Sequence, residues 1–422
     1  MSAPILADPR TDRVLWLKVF GIMLLVVISV VSWRRGVLYD GGTDPVVIAK
    51  AAIGVLTFGL AFILHETVRV RGRIGLRTLL LLSGIVLLST LGAQAAGELS
   101  SAAVLAVRIG LVTATVVMVV RSAPPMLIIT ALVAALGAVA IVAAVTGIPI
   151  YLAGGRLAGG TPTLQPNELA GLAGPPAVAL AYDFARRGLR LWTVGAFLGF
   201  MGIIYLTESR TSLLAVSVAI VVALLYARPM PSSTAIGLLV LAPFAVAVVA
   251  MTDILQQLVT RGESVDRLVT LNSRTNAWSS VLEIPMDTWA KWIGLGLSTK
   301  TIAVQDRWRD YQVLDSSWVS SIAQAGIIGT VLLIIWVLSS VISSLRSRPL
   351  RALTTPLLTL LLFRSFTENG LVESSGTFLL FLTISLVVER KTVYPYAESG
   401  HRTYELAHLA PQTPSWSGTP LR

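Results

Sequence analysis

The stretch LDSSWVSSIAQAGIIG (314–329) sets a carboxylate, hydroxyls and an indole directly ahead of an apolar run that continues to about residue 345. About 20 such residues cross a bilayer as a helix, so this segment reads as a membrane span with a polar head. Similar apolar runs recur along the whole chain. The 422 residues are 55% hydrophobic and only 13% charged, with a mean hydropathy of +0.78. A soluble protein would carry about 25% charge. The fold class is therefore an all-α, polytopic membrane protein.

Twelve spans are expected, at about 14–32, 45–64, 78–96, 101–120, 124–146, 168–185, 190–207, 211–227, 234–252, 317–345, 352–366 and 374–389. Four regions follow: helices one to nine (1–252), an extracytoplasmic loop with amphipathic helices (253–316), helices ten to twelve (317–391) and a flexible tail (392–422), rich in Pro, Ser and Thr. Arginine crowds alternate connections, including Arg69, Arg71, Arg73 and Arg77, then Arg186 and Arg187, then Arg346, Arg348 and Arg351. By the positive-inside rule these connections are cytoplasmic, as are both termini. The net charge of +11 is thus spent on topology, and no basic run with interleaved aromatics points to nucleic acid. The chain has no cysteine, which excludes disulfides, thiolate chemistry and Cys-bound metal. His65, at the inner end of span two, is expected in a solvated interfacial role.

Three outward segments stand apart: the Gly-rich GIPIYLAGGRLAGGTPTLQPNELAG (147–171), the tight TESRTS (207–212) and the long loop before Asp315. Within that loop, WAKWIGLG sets Trp289 and Trp292 at helical spacing, as interfacial anchors do. Charges that topology does not require also lie on this side. Lys50 and Arg108 fall inside spans two and four, Arg210 in the tight turn, Arg274 in the long loop and Arg364 at the end of span eleven. A cation at mid-helix costs at least about 2.5–3.5 kcal/mol in hydrocarbon. Any one of the five could snorkel to the headgroups, or, like Arg210 beside Glu208, form a local ion pair. Together they fit a shared anionic ligand, and a diphosphate suits the forked donors of arginine.

Several short motifs, in order, resemble the bacterial O-antigen ligase and polysaccharide polymerase family: NELA (167–170), SRTS (209–212), NSRTNAW (272–278), GLG (294–296) and DSSWVSSIAQAGIIG (315–329). The resemblance implies a membrane glycosyltransferase of GT-C type in the bacterial plasma membrane. It would move a glycan from a polyprenyl-diphosphate carrier to a glycan, lipid or protein acceptor on the outer face, with neither cofactor nor metal. It further implies that Arg210 and Arg274 hold the diphosphate. Where many ligases carry a His-Asn pair at the head of the tenth span, this chain has Asp315 and Ser316, which tilts the reading towards a polymerase. A carboxylate can also take the acceptor proton; Asp315 ranks first, with Glu208 and Glu368 behind. The alternative for Asp315 is a helix N-cap. Trp318, Asn167 and Ser316 are expected near sugar, and Gly326 with Gly329 is expected to permit close helix packing. A transporter or flippase of lipid-linked glycans is the rival reading.

Overall fold

The computed structural model describes residues 9–34, 44–68, 72–226, 272–304 and 311–390, with backbone only for 9–12 and 272–275. The helices are α1 (Pro9–Val30), α2 (Pro45–Thr67), α3 (Arg77–Ala95), α4 (Leu99–Ser122), α5 (Pro125–Leu152), α6 (Pro166–Arg187), α7 (Leu191–Leu206) and α8 (Arg210–Tyr226). After the undescribed stretch come α9 (Asn272–Leu282) and α10 (Trp289–Ile293), strands β1 (Thr301–Ala303) and β2 (Tyr311–Val313), then α11 (Ser317–Arg346), α12 (Arg351–Ser365) and α13 (Gly376–Glu389). The expected ninth span and the tail lie outside the described residues.

Six of these helices, α1 to α5 and α11, are long and apolar enough to cross a membrane. Three more, α7, α8 and α13, are apolar but shorter. The expected spans six and eleven coincide with α6 and α12, which meet neither description. Both are sunk among the other helices, with Leu169, Ala173 and Ala177 of α6 and Leu353, Leu357 and Leu361 of α12 buried. A helix walled in by neighbours needs no uniformly apolar surface, and each also carries internal proline (Pro175, Pro176 and Pro356).

Consecutive helices alternate in direction and give the bundle two ends. At one, which we call the basic end, α3 begins and α13 finishes: Glu389 accepts from the backbone N of Arg77 (2.7 Å) and Thr78 (3.0 Å). His65 lies on the same side, buried against Ser122 with Nδ1 3.0 Å from its hydroxyl. This corrects the expected solvated role: α4 closes over the end of α2 and removes the ring from solvent. The opposite, loop end gathers the starts of α6, α8 and α11 with the 366–375 connection. Tyr226 sits at the basic end, under the Arg351 guanidinium, whereas α9 packs at the loop end through Ala277 and Val281 against Leu314, Val319 and Ala323.

The long loop is not purely helical. β1 and β2 form an antiparallel hairpin with Thr301 opposite Val313 and Ala303 opposite Tyr311, too short for an alternation pattern to announce it. The two half-exposed tryptophans, Trp289 and Trp292, do share α10. That helix then docks into a break in α11. Gly326 has φ 69°, a left-handed conformation, so the helix cannot run through it. The carbonyls of Ala323 and Gln324, deprived of helical partners, accept instead from Leu295 N (2.7 Å) and Gly296 N (3.1 Å). A Cβ on Gly326 would collide with the Trp292 carbonyl. The glycine expected to serve helix packing thus admits a loop into the helix.

Candidate functional site

At the loop end, the Gly-rich connection folds back on the α7–α8 turn. Leu157 N donates to Leu206 O (2.9 Å) and Arg156 Nε to Thr207 O (2.8 Å). The other side of the Arg156 guanidinium reaches Asn167, donating from Nη2 to Oδ1 at 3.1 Å. Asn167 then becomes a hub. Its amide donates to Glu368 Oε1 (2.7 Å), and its backbone carbonyl accepts from Arg364 Nη2 (3.0 Å). One residue at the head of α6 therefore joins the Gly-rich connection, the end of α12 and the segment that follows it.

Arg364 is 5% exposed. It fits because Gly171, one turn into α6, presents bare backbone; a Cβ there would collide with the guanidinium. Glu368 and Glu168 both lie close enough for their charges to act on it.

The head of α11 docks on the same connection. Ser317 donates to the Glu368 carbonyl (2.9 Å), and Trp318 Nε1 donates to the Ser365 hydroxyl (3.0 Å) while its ring lies 6.0 Å from that of Phe366. Ser316, not Asp315, is the N-cap residue of α11; its hydroxyl makes no capping bond and turns to the Ser365 carbonyl at 3.4 Å. Asp315 stands one residue ahead of this N-cap, half-buried. The N-cap position expected for Asp315 is thus occupied by Ser316, and Trp318 and Ser316 join the head of α11 to the end of α12.

Arg210 opens α8, half-buried. Just before it, Glu208 is exposed and holds φ 51°, the one non-glycine residue with left-handed backbone among the described residues. A side chain in that region costs roughly 1–2 kcal/mol, and the bond from Glu208 N to Tyr205 O (2.9 Å) holds the turn. Arg274 is the third residue of α9, on the same end of the bundle; its side chain lies outside the described residues.

The other two expected cations lie at the end of α1, where Lys50 shares the charge of Glu168 with Arg364. Arg108 donates from Nη2 to the Ser29 carbonyl at 2.6 Å, closing the end of α1. The Lys50 ammonium sits 5.9 Å from the centre of the Trp33 ring, near enough to Arg108 and Glu168 to sense both charges. Glu168 itself accepts from Ser32 (3.1 Å) and from Gln165 N (3.1 Å). Beside this group an apolar cavity of about 540 Å³ opens between the end of α1 and α5, bordered by Leu24, Ile28, Trp33, Val139 and Val142 and closed by Gly160–Thr163.

Residues 194–334 match the family model described as O-antigen ligase. This segment is similar to O-antigen ligases. No curated protein matches the chain. The O-antigen ligase match spans α7 to the broken helix α11 and so contains Arg210, Arg274 and Asp315. The ring around Asn167, with Arg156, Arg364 and Glu368, lies outside it and reaches it through Thr207 and Ser317.

Arg156 was missed in the sequence. The signal for Arg156 was a lone cation between two glycine pairs, AGGRLAGG (153–160). Glu373 lies five residues past Glu368, in the connection to α13. It is consumed by Lys300 Nζ (2.6 Å), Gln324 Nε2 (2.7 Å) and a short contact with Asn369, which tie the hairpin to α11.

Proposed function

We propose that this membrane protein transfers a glycan from a polyprenyl-diphosphate carrier to an acceptor hydroxyl at the loop end of the bundle, on the outer face of a bacterial plasma membrane. The observation that carries this reading is the meeting, at one end, of the O-antigen ligase segment with buried, charged partners from outside it. The acceptor oxygen forms a bond to the anomeric carbon as that carbon's bond to the diphosphate oxygen breaks. The hydroxyl proton passes to a carboxylate, and Asp315 is assigned that role. The leaving diphosphate gathers charge, which the guanidinium groups of Arg210 and Arg274 offset, with Arg364 behind them. Fixed donors at such positions are worth about 10²–10³ in rate. Glu368, bound by the Asn167 amide, orients the site, and Glu208 shapes the turn that presents Arg210.

The apolar cavity between α1 and α5 suits the isoprenoid chain of the carrier, with Lys50, on the Trp33 ring that borders it, assigned to the lipid phosphate. Asp315 and Ser316 at the head of α11 favour polymerisation of repeat units over ligation to a finished acceptor. The reaction needs no metal, so chelation leaves the rate unchanged.

Purified protein in lipid vesicles, given a polyprenyl-diphosphate oligosaccharide, tests the reading. The expected result is free polyprenyl diphosphate released in step with a longer glycan, abolished in Arg274→Ala. Appearance of the intact lipid in the opposite leaflet, with no release, would identify a flippase instead.

A further inference from the structure

Apart from the ring around Asn167, the loop end holds a second recess, of about 480 Å³, between α9 and the end of β1. Its walls are mostly polar. Asn276, Ser279, Ser280 and Glu283 line it, at i, i+3, i+4 and i+7, which is one face of a helix. The adjoining face of α9 is pinned: Ala277 and Val281 are buried against Val304, Leu314 and Val319. A rigid helix therefore offers a row of small polar groups to the recess.

Ser279 and Ser280 each donate their hydroxyl proton to the Asn276 carbonyl, both at 3.0 Å. Their oxygens face outward as acceptors only. The Asn276 amide supplies donors and an acceptor, and the Glu283 carboxylate supplies further acceptors. Among the described residues, neither of these two side chains makes a hydrogen bond or ion pair. Ile284 and Val304 add an apolar wall. Among the described residues, no cation borders the recess.

From this we infer that the recess is a glycan-binding subsite, taking uncharged, hydroxyl-rich sugar units. Sugar hydroxyls donate and accept at close spacing, and the C–H face of a pyranose ring fits an apolar wall. A diphosphate or an acidic sugar finds no counter-charge among these lining residues and is repelled by Glu283. The volume lies within the roughly 300–1,000 Å³ of small-molecule sites. Because Arg274 begins the same helix, α9 would hold phosphate at its first turn and saccharide along the next two. This assignment rests on the glycan-transfer reading above and extends it to the saccharide, whether carried by the donor or by the acceptor.

Direct binding separates the two claims, since it needs no turnover. Oligosaccharides released by mild acid from the source cell's envelope glycans would be split into neutral and acidic pools and titrated onto the purified full-length protein. The neutral pool is expected to bind, and Asn276→Ala/Glu283→Ala to weaken it about tenfold, the loss of one to two hydrogen bonds. Both substituted side chains line an open recess, and an unchanged melting temperature shows that the variant is folded. Glu283→Gln alone, which keeps a polar amide, is expected to retain most of the binding and to admit the acidic pool. Equal binding by wild type and the double variant, or preference of the wild type for the acidic pool, would overturn the inference. Were neutral binding lost in the double variant while no glycan transfer occurred in wild type, the subsite would stand and the catalytic reading would fall. Where transfer occurs, a raised KM with kcat unchanged identifies which substrate carries the bound saccharide.

Discussion

The two ends of the bundle use charge differently. At the basic end several charged groups close a helix terminus or bridge two helices: Glu389 takes the first N–H groups of α3, Arg390 reaches the Ala123 carbonyl beyond α4, and Arg77 Nη2 donates to Ser343 at 3.0 Å. At the loop end the helices largely close themselves, as when Glu168 accepts from Gln165 N ahead of α6 and Ser375 from Phe378 N at the start of α13. Two arginines there do close helix ends, Arg108 on the Ser29 carbonyl of α1 and Arg156 on the Thr207 carbonyl after α7, whereas Arg364 reaches Asn167 in the first turn of α6. Charge that terminates helices serves the fold; charge beyond that need is available for a ligand.

The contrast can be broken by substitution at each end. The largest effect is expected from Arg210→Ala and Asp315→Asn, which should lower glycan transfer by about 10²–10³ with little change in melting temperature. Glu389→Ala should do the reverse, costing about 1–2 kcal/mol of stability in chemical denaturation while activity per folded molecule is kept. If Glu389→Ala abolished transfer in folded protein, the division between the ends would be wrong.

Gly326→Ala sharpens the same contrast from the middle of α11. It forces a side chain into left-handed backbone and against the Trp292 carbonyl, and should cost roughly 1–3 kcal/mol, seen as a lowered melting temperature. Gly171→Ala should displace Arg364 without unfolding α6, and lower transfer by about tenfold, the loss of one charge-assisted contact. The smallest effect is expected from Glu208→Gly. It relieves the backbone strain and should leave transfer within about twofold, raising stability by up to about 1 kcal/mol. A large loss of transfer there would give the Glu208 carboxylate a chemical role.

Much of the bundle was legible because proline and apolar runs mark membrane helices plainly. Pro45, Pro125 and Pro166 each occupy the first turn of a helix, where the missing N–H has no consequence. The α11 break was not legible, since Gly-x-x-Gly serves close packing as readily as it serves a loop lodged in a helix. The hairpin escaped because three-residue strands carry no period. Of the site, the cations could be listed from their depth in apolar runs, but not sorted. Only the fold separates Lys50 and Arg108, beside α1, from Arg364 on the Asn167 hub. Asn167 itself was visible only as part of a short motif, because a hub depends on partners some 200 positions away, as Glu368 is.

The most direct test of the central claim, that chemistry belongs to the loop end, is sided release. Vesicles would hold the protein in one known orientation, with the polyprenyl-diphosphate oligosaccharide confined to one leaflet, and free polyprenyl diphosphate would be measured. The account predicts release only when donor occupies the leaflet at the loop end. Release from donor confined to the basic end, at a similar rate, would contradict it.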